Sequence, residues 1–135
     1  MDIEKLKIQL IQLAKAHENI ELLWLYGSHA RGNAHAKSDI DLAVAFKVWE
    51  SDVIERRLRP DLLALEWQNK LNLNEGRLSI LDITNAPIPI AMSVLQNGEF
   101  FSKNKSRQLQ EQQRIMSIWE IDYLYHYQNP DAIYG

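Results

Sequence analysis

Residues 20–26, Ile-Glu-Leu-Leu-Trp-Leu-Tyr, form a short, almost wholly apolar run that stops at Gly27. That is the length and composition of a buried strand, and a glycine ends it. A second run, Asp39-Ile40-Asp41-Leu42-Ala43-Val44-Ala45-Phe46, alternates. Asp39 and Asp41 fall on one side and Ile40, Leu42 and Val44 on the other, the period-two signature of a strand. Arg77–Ile83 reads as a third strand, and Glu99-Phe100-Phe101 as a short fourth strand or edge.

Helical patterns fill the intervals. Ile3, Leu6, Leu10, Leu13 and Ala14 recur at helical spacing over residues 2–17, and Asn19 breaks the pattern. Residues 28–36 read as a turn opening into a short helix. Ser51 or Asp52 can cap a helix running through Val53, Ile54, Leu58, Leu62, Leu65 and Leu71, which Pro60 should kink or split in two. Pro87 can start a helix over 88–95 that closes near Asn97-Gly98, and 104–127 is a long polar helix before the tail NPDAIYG. The alternation predicts an α/β (α+β) fold: one mixed sheet of about four strands packed with helices, ending in a long C-terminal helix. Without an internal repeat or long linker, the 135 residues read as one domain, with a core at about 20–83 and a C-terminal helix and tail at about 103–135.

Composition limits the chemistry. With 46% hydrophobic residues, one ordinary core can form. A net charge of −3 shows no basic surplus for gripping a long nucleic acid, although a single nucleotide needs only a few local donors and a metal. The absence of cysteine excludes disulfides, zinc–thiolate sites and thiol nucleophiles. The N-terminus lacks the uninterrupted apolar stretch of a signal peptide, and no apolar run is long enough to cross a bilayer. The expectation is a soluble, cytoplasmic protein.

Three features can carry chemistry. Gly27-Ser28 closes a buried strand, where glycine allows close backbone approach and a following helix N-terminus favours phosphate; an ordinary strand-to-helix turn has the same wording. Asp39-Ile40-Asp41 projects two carboxylates to one side, a hard oxygen pair suited to Mg²⁺, or acids protecting a strand edge. Asp82 ends the otherwise apolar 78–83 run, where a carboxylate needs a partner, a metal or solvent at the strand–loop junction.

Taken together, Gly27-Ser28, a ten-residue spacer, Asp39-x-Asp41 and a later Asp82 resemble the signature of the DNA polymerase β-like nucleotidyltransferase superfamily. The local wording is similar too, in Tyr26-Gly27-Ser28-His29-Ala30-Arg31-Gly32 and Ser38-Asp39-Ile40-Asp41-Leu42-Ala43-Val44. Size and layout resemble the minimal nucleotidyltransferase (MNT) antitoxins, partners of HEPN-domain ribonuclease toxins, whose members transfer AMP from ATP to a toxin tyrosine. The resemblance implies that Asp39 and Asp41 hold the metal bridging the triphosphate. It implies that Asp82 completes a second metal site and helps deprotonate or orient the attacking hydroxyl. Two Mg²⁺ ions would then stabilise the entering and leaving oxygens. Gly27 and Ser28 would hold the departing pyrophosphate. Arg31 would steady a phosphate or the sheet–helix junction, and Ser38 joins the nucleotide-binding residues.

Two other functions compatible with this reading are an antitoxin that neutralises its partner by stoichiometric contact, and a small-molecule (aminoglycoside-type) nucleotidyltransferase. The short chain leaves little room for an acceptor-binding domain, which points to an acceptor carried on another protein. His29 and His35 are too few for a zinc site and are expected to be solvated. The four tryptophans are expected in packing, and Lys103, Lys105 and Arg107 in a solvated helix start or against an acidic partner or RNA. The aromatic stretch 119–127 fits either an interface or a helix packed on its own sheet.

Overall fold

A computed structural model describes residues 3–27 and 39–128. The elements are α1 (Ile3–Ala16), β1 (Ile20–Tyr26), β2 (Ile40–Phe46), α2 (Val53–Lys70), β3 (Leu78–Asp82), α3 (Ile88–Asn97), β4 (Glu99–Ser102) and α4 (Lys105–Gln128). The short helix expected over 28–36 lies outside the described residues. The strands form one sheet in the order β3-β2-β1-β4. β1 runs antiparallel to β2 and β4, and β2 runs parallel to β3. The sheet is mixed, as the alternation of strand and helix patterns predicts.

Both faces of the two central strands are covered, which explains why β1 reads as continuously apolar. On one face, Leu23, Leu42, Val44 and Ile80 meet Leu6 and Leu10 of α1 and Leu63 and Trp67 of α2. On the other, Leu22, Trp24, Ala43 and Ala45 meet Ala91 and Val94 of α3 and Ile115 of α4. The small residues at 43 and 45 let the second layer approach closely.

Four expectations change. Of the two outcomes expected at Pro60, the split does not occur: Val53–Lys70 is continuous, capped by the Asp52 carboxylate, which accepts the Glu55 N–H at 3.0 Å. One missing N–H is tolerable where Leu63 and Trp67 pin the following turns to the sheet. The residues that marked this helix are not the ones it buries, since Val53, Ile54, Leu58, Leu62 and Leu65 are all exposed. Of the tryptophans, Trp24 and Trp67 are core, while Trp49 and Trp119 are exposed; Trp49 lies under the Arg56 guanidinium, 4.4 Å from its ring centroid. Lys103 and Arg107 are tied down rather than solvated. Lys103 Nζ donates to the carbonyls of Ala14 (2.9 Å) and His17 (2.7 Å) at the end of α1. Arg107 donates to Phe46 O (2.8 Å) and pairs with Glu21 (3.3 Å) and Glu111 (3.1 Å). Among the described residues, no helix is long and apolar enough to cross a membrane.

Candidate active site

β1 delivers its C-terminal end, and β2 its N-terminal end, to the same rim of the sheet, because the two strands are antiparallel neighbours with Tyr26 opposite Asp41. Gly27 follows at once with φ of +75°, a conformation that side-chain-bearing residues resist. A Cβ added there would collide with the Asp41 carboxylate. Glycine is therefore required twice, by the turn and by the carboxylate beside it. Asp41 is half-buried, and Asp39 is exposed one residue before β2. Extending the strand alternation by one step puts both acids on one face. Burial, reinforced by the Asp41 charge, pushes the Tyr26 phenol above its ordinary value.

Across β2 from Asp41, on the parallel strand β3, stands Ser79, which is exposed. Asp82 pairs instead with Val44. That register places it three residues further along, roughly 10 Å at the rise of a strand, and on the opposite face of the sheet. The expectation that Asp82 joins Asp39 and Asp41 around metal is thereby corrected. Among the described residues, no three Asp, Glu, His or Cys side chains converge as a metal site.

Asp82 is buried and already partnered. Its Oδ1 accepts the Thr84 N–H at 3.0 Å and its Oδ2 accepts Asn85 Nδ2 at 2.9 Å. Arg59 Nη2 approaches to 3.8 Å, while its guanidinium lies 4.2 Å from the Phe46 ring centroid and donates to Val48 O at 2.7 Å. These contacts tie the turn after β3 to α2, a structural employment for a buried carboxylate.

Ser28, Arg31 and Ser38, expected to bind nucleotide, lie outside the described residues, as do His29 and His35. Of the expected set, the structure brings Gly27 and Asp41 together, with Asp39 exposed one residue before β2. Ser79, as the cross-strand neighbour of Asp41, escaped the sequence reading. Its signal was phase: Ser79 breaks the apolar phase of Leu78 and Ile80, while Asp82 keeps it.

The Asp39–Asp41 pair fits a hard divalent cation. Both donors are carboxylate oxygens at an accessible rim, and the bare Gly27 leaves backbone-width room beside one of them. Mg²⁺ commonly takes one or two carboxylates and completes its shell with water and substrate phosphates.

Residues 8–107 match the family model described as "Polymerase beta, Nucleotidyltransferase". No curated protein matches the chain by sequence. Among solved structures, a toxin–antitoxin chain crystallised with AMP-PNP superposes with a TM-score of 0.69 at 20% identity, covering 98% of each chain. A chain from a complex of tri-AMPylated Shewanella oneidensis HEPN toxin with MNT antitoxin gives 0.66 at 17% identity, covering 96% of each. A structure described as a minimal nucleotidyltransferase gives 0.53 at 27% identity, covering 73% of this chain and 95% of that one.

Proposed function

Because the chain belongs to the polymerase beta nucleotidyltransferase family, we propose that it is an MNT-type antitoxin that transfers AMP from ATP to a tyrosine hydroxyl of a cognate HEPN ribonuclease toxin. The observation that carries this reading is the Asp41 carboxylate seated against the bare Cα of Gly27, with Asp39 two residues away. Its support beyond the site is the similarity to chains from complexes whose toxins bear AMP or whose crystals held an ATP analogue. ATP and a ribonuclease partner meet in the cytoplasm, where we place the reaction.

Asp39 and Asp41 would hold Mg²⁺, which supplies charge neutralisation to the triphosphate. The turn at Gly27, with Ser28, would take the phosphates through backbone N–H groups, and Arg31 and Ser38 would complete the nucleotide contacts. The acceptor oxygen attacks the α-phosphorus, the bond to the bridging oxygen breaks, and pyrophosphate leaves while the hydroxyl proton passes to solvent. Positioning of this kind accounts for most of the acceleration in phosphoryl transfers. The acceptor arrives on a second protein, and the exposed Met116, Trp119, Ile121, Tyr123 and Tyr125 of α4 offer apolar surface for it.

The test is to mix the chain with ATP, Mg²⁺ and the partner, then weigh the partner by intact-mass spectrometry. We expect a gain of one or more AMP units that disappears in Asp39→Ala and Asp41→Ala. A partner left unmodified under saturating ATP removes the enzymatic reading. The want of a third acid beside the pair favours one alternative, neutralisation by stoichiometric contact. Under that reading the double Asp39→Ala/Asp41→Ala variant still protects cells at low expression.

A further inference from the structure

We infer that this active site is built for a single divalent ion, with Ser79 standing where the acidic ligand of a second ion would have to be. The inference rests on the nucleotidyltransferase reading and makes it more specific.

Two-metal sites hold their ions about 3.5–4 Å apart, so a carboxylate must bridge them and further acids must face the same point. The positions able to face Asp41 are fixed by the sheet. On one side the neighbour is Tyr26 and on the other Ser79. Neither is an acid. Residues 28–38, the segment joining the two rim strands, contain no Asp or Glu. Asp82, the one carboxylate on β3, is turned to the other face and satisfied by Thr84, Asn85 and Arg59. The donor set fits one Mg²⁺ and does not fit a second. Ser79 is exposed, on the face that Asp41 shares.

The chemical consequence is that, among the described residues, no third carboxylate beside the pair and no second ion takes the proton of the acceptor hydroxyl. That proton goes to water as the new O–P bond forms. A weakly acidic hydroxyl such as a phenol, with an ordinary pKa near 10, suits such a site better than an aliphatic alcohol.

The experiment counts ions directly. The full chain is saturated with AMP-PNP and titrated with Mn²⁺, with free Mn²⁺ read by electron paramagnetic resonance. We expect one Mn²⁺ per chain. Ser79→Asp should raise the count to two and broaden the signal through coupling between neighbouring ions. Asp82→Asn, checked for folding by circular dichroism, should keep the count at one. A wild-type count of two, or a Ser79→Asp count that stays at one, overturns the inference while leaving the nucleotidyltransferase reading intact. So does loss of the ion in folded Asp82→Asn. A chain that binds neither AMP-PNP nor Mn²⁺ overturns both, beginning with the function itself.

Discussion

At Gly27 two independent restraints fall on one residue. Its φ of +75° disfavours any side chain by about 1–2 kcal/mol. A Cβ there would also push the Asp41 carboxylate aside. Gly27→Ala should therefore lose about 1–2 kcal/mol in chemical denaturation. It should lose far more in transfer, roughly 100-fold, because a displacement of about 1 Å at a reacting centre has that effect. A variant that is merely less stable but fully active would show that Asp41 can move without consequence. Asp82→Ala should behave in the opposite sense. It removes the acceptor of Thr84 N–H and Asn85 Nδ2 and strands Arg59, for a loss of about 1–3 kcal/mol seen as a lower denaturation midpoint, with the ion site untouched. The contrast between 41 and 82 also shows what was legible in the sequence at this scale. Spacing alone nominated Asp39 and Asp41, because residues two apart share a face where a strand's alternation extends to them. Spacing did not place Asp82, because assigning it to the site needs the register of β3 against β2. The apolar phase Leu78, Ile80, Asp82 matches Ile40, Leu42, Val44, and in that alignment Asp41 falls opposite Ser79.

Between elements, polar contacts decide how the helices sit. The junction of α1 and β1 turns on His17, whose Nδ1 accepts the Asn19 N–H at 3.2 Å. Burial lowers its pKa below the ordinary value, so the folded chain holds the neutral ring while the unfolded chain takes up a proton. The unfolded state binds more protons, and stability therefore rises with pH across the window below about 6.5. Thermal melts should be flat above that pH and fall as it is lowered toward 5. His17→Gln should flatten the slope, and an unchanged slope would assign the acid sensitivity elsewhere. The second junction is Arg107, which links α4 to Phe46 O, Glu21, Thr84 and Glu111. Arg107→Ala removes the cation from Glu21, which keeps the Asn104 amide as donor, and from part of Glu111, although Arg114 still holds Glu111 at 2.8 Å. Removing one partner of such a buried pair typically costs about 3 kcal/mol, and the remaining arginine places the expected loss at the low end of that, read as a depressed Tm. Helix existence was legible from periodicity, but these anchors were not. A lysine or arginine at a helix start reads as solvated until the opposing carbonyls and acids come from residues 14–21 and 46, far away in sequence. The same limit explains α2, where counting apolar positions finds the helix yet misjudges which side is buried.

For the molecule as a whole, the mixed sheet followed from the order of strand and helix patterns, since a parallel pair such as β2 and β3 needs a helix between its strands and α2 supplies it. What order could not supply was the rim at which Asp39 and Asp41 stand, and that rim makes a global prediction. A nucleotide that binds only the folded chain stabilises it by about 2.7 kcal/mol at 100 times its dissociation constant. For a chain of 135 residues this corresponds to a rise in Tm of roughly 10 °C. The linkage should be conditional on the cation, because the carboxylates at 39 and 41 repel a triphosphate until a divalent ion stands between them. ATP with Mg²⁺ should shift the melt, ATP with EDTA should not, and Asp41→Asn should abolish the shift with Mg²⁺ present. The acceptor protein is not needed for this effect, so the melt separates nucleotide binding from partner docking. A full shift in EDTA would mean that the triphosphate is held by cationic side chains alone, and the acidic pair would then be an obstacle that the fold tolerates rather than the reason ATP binds.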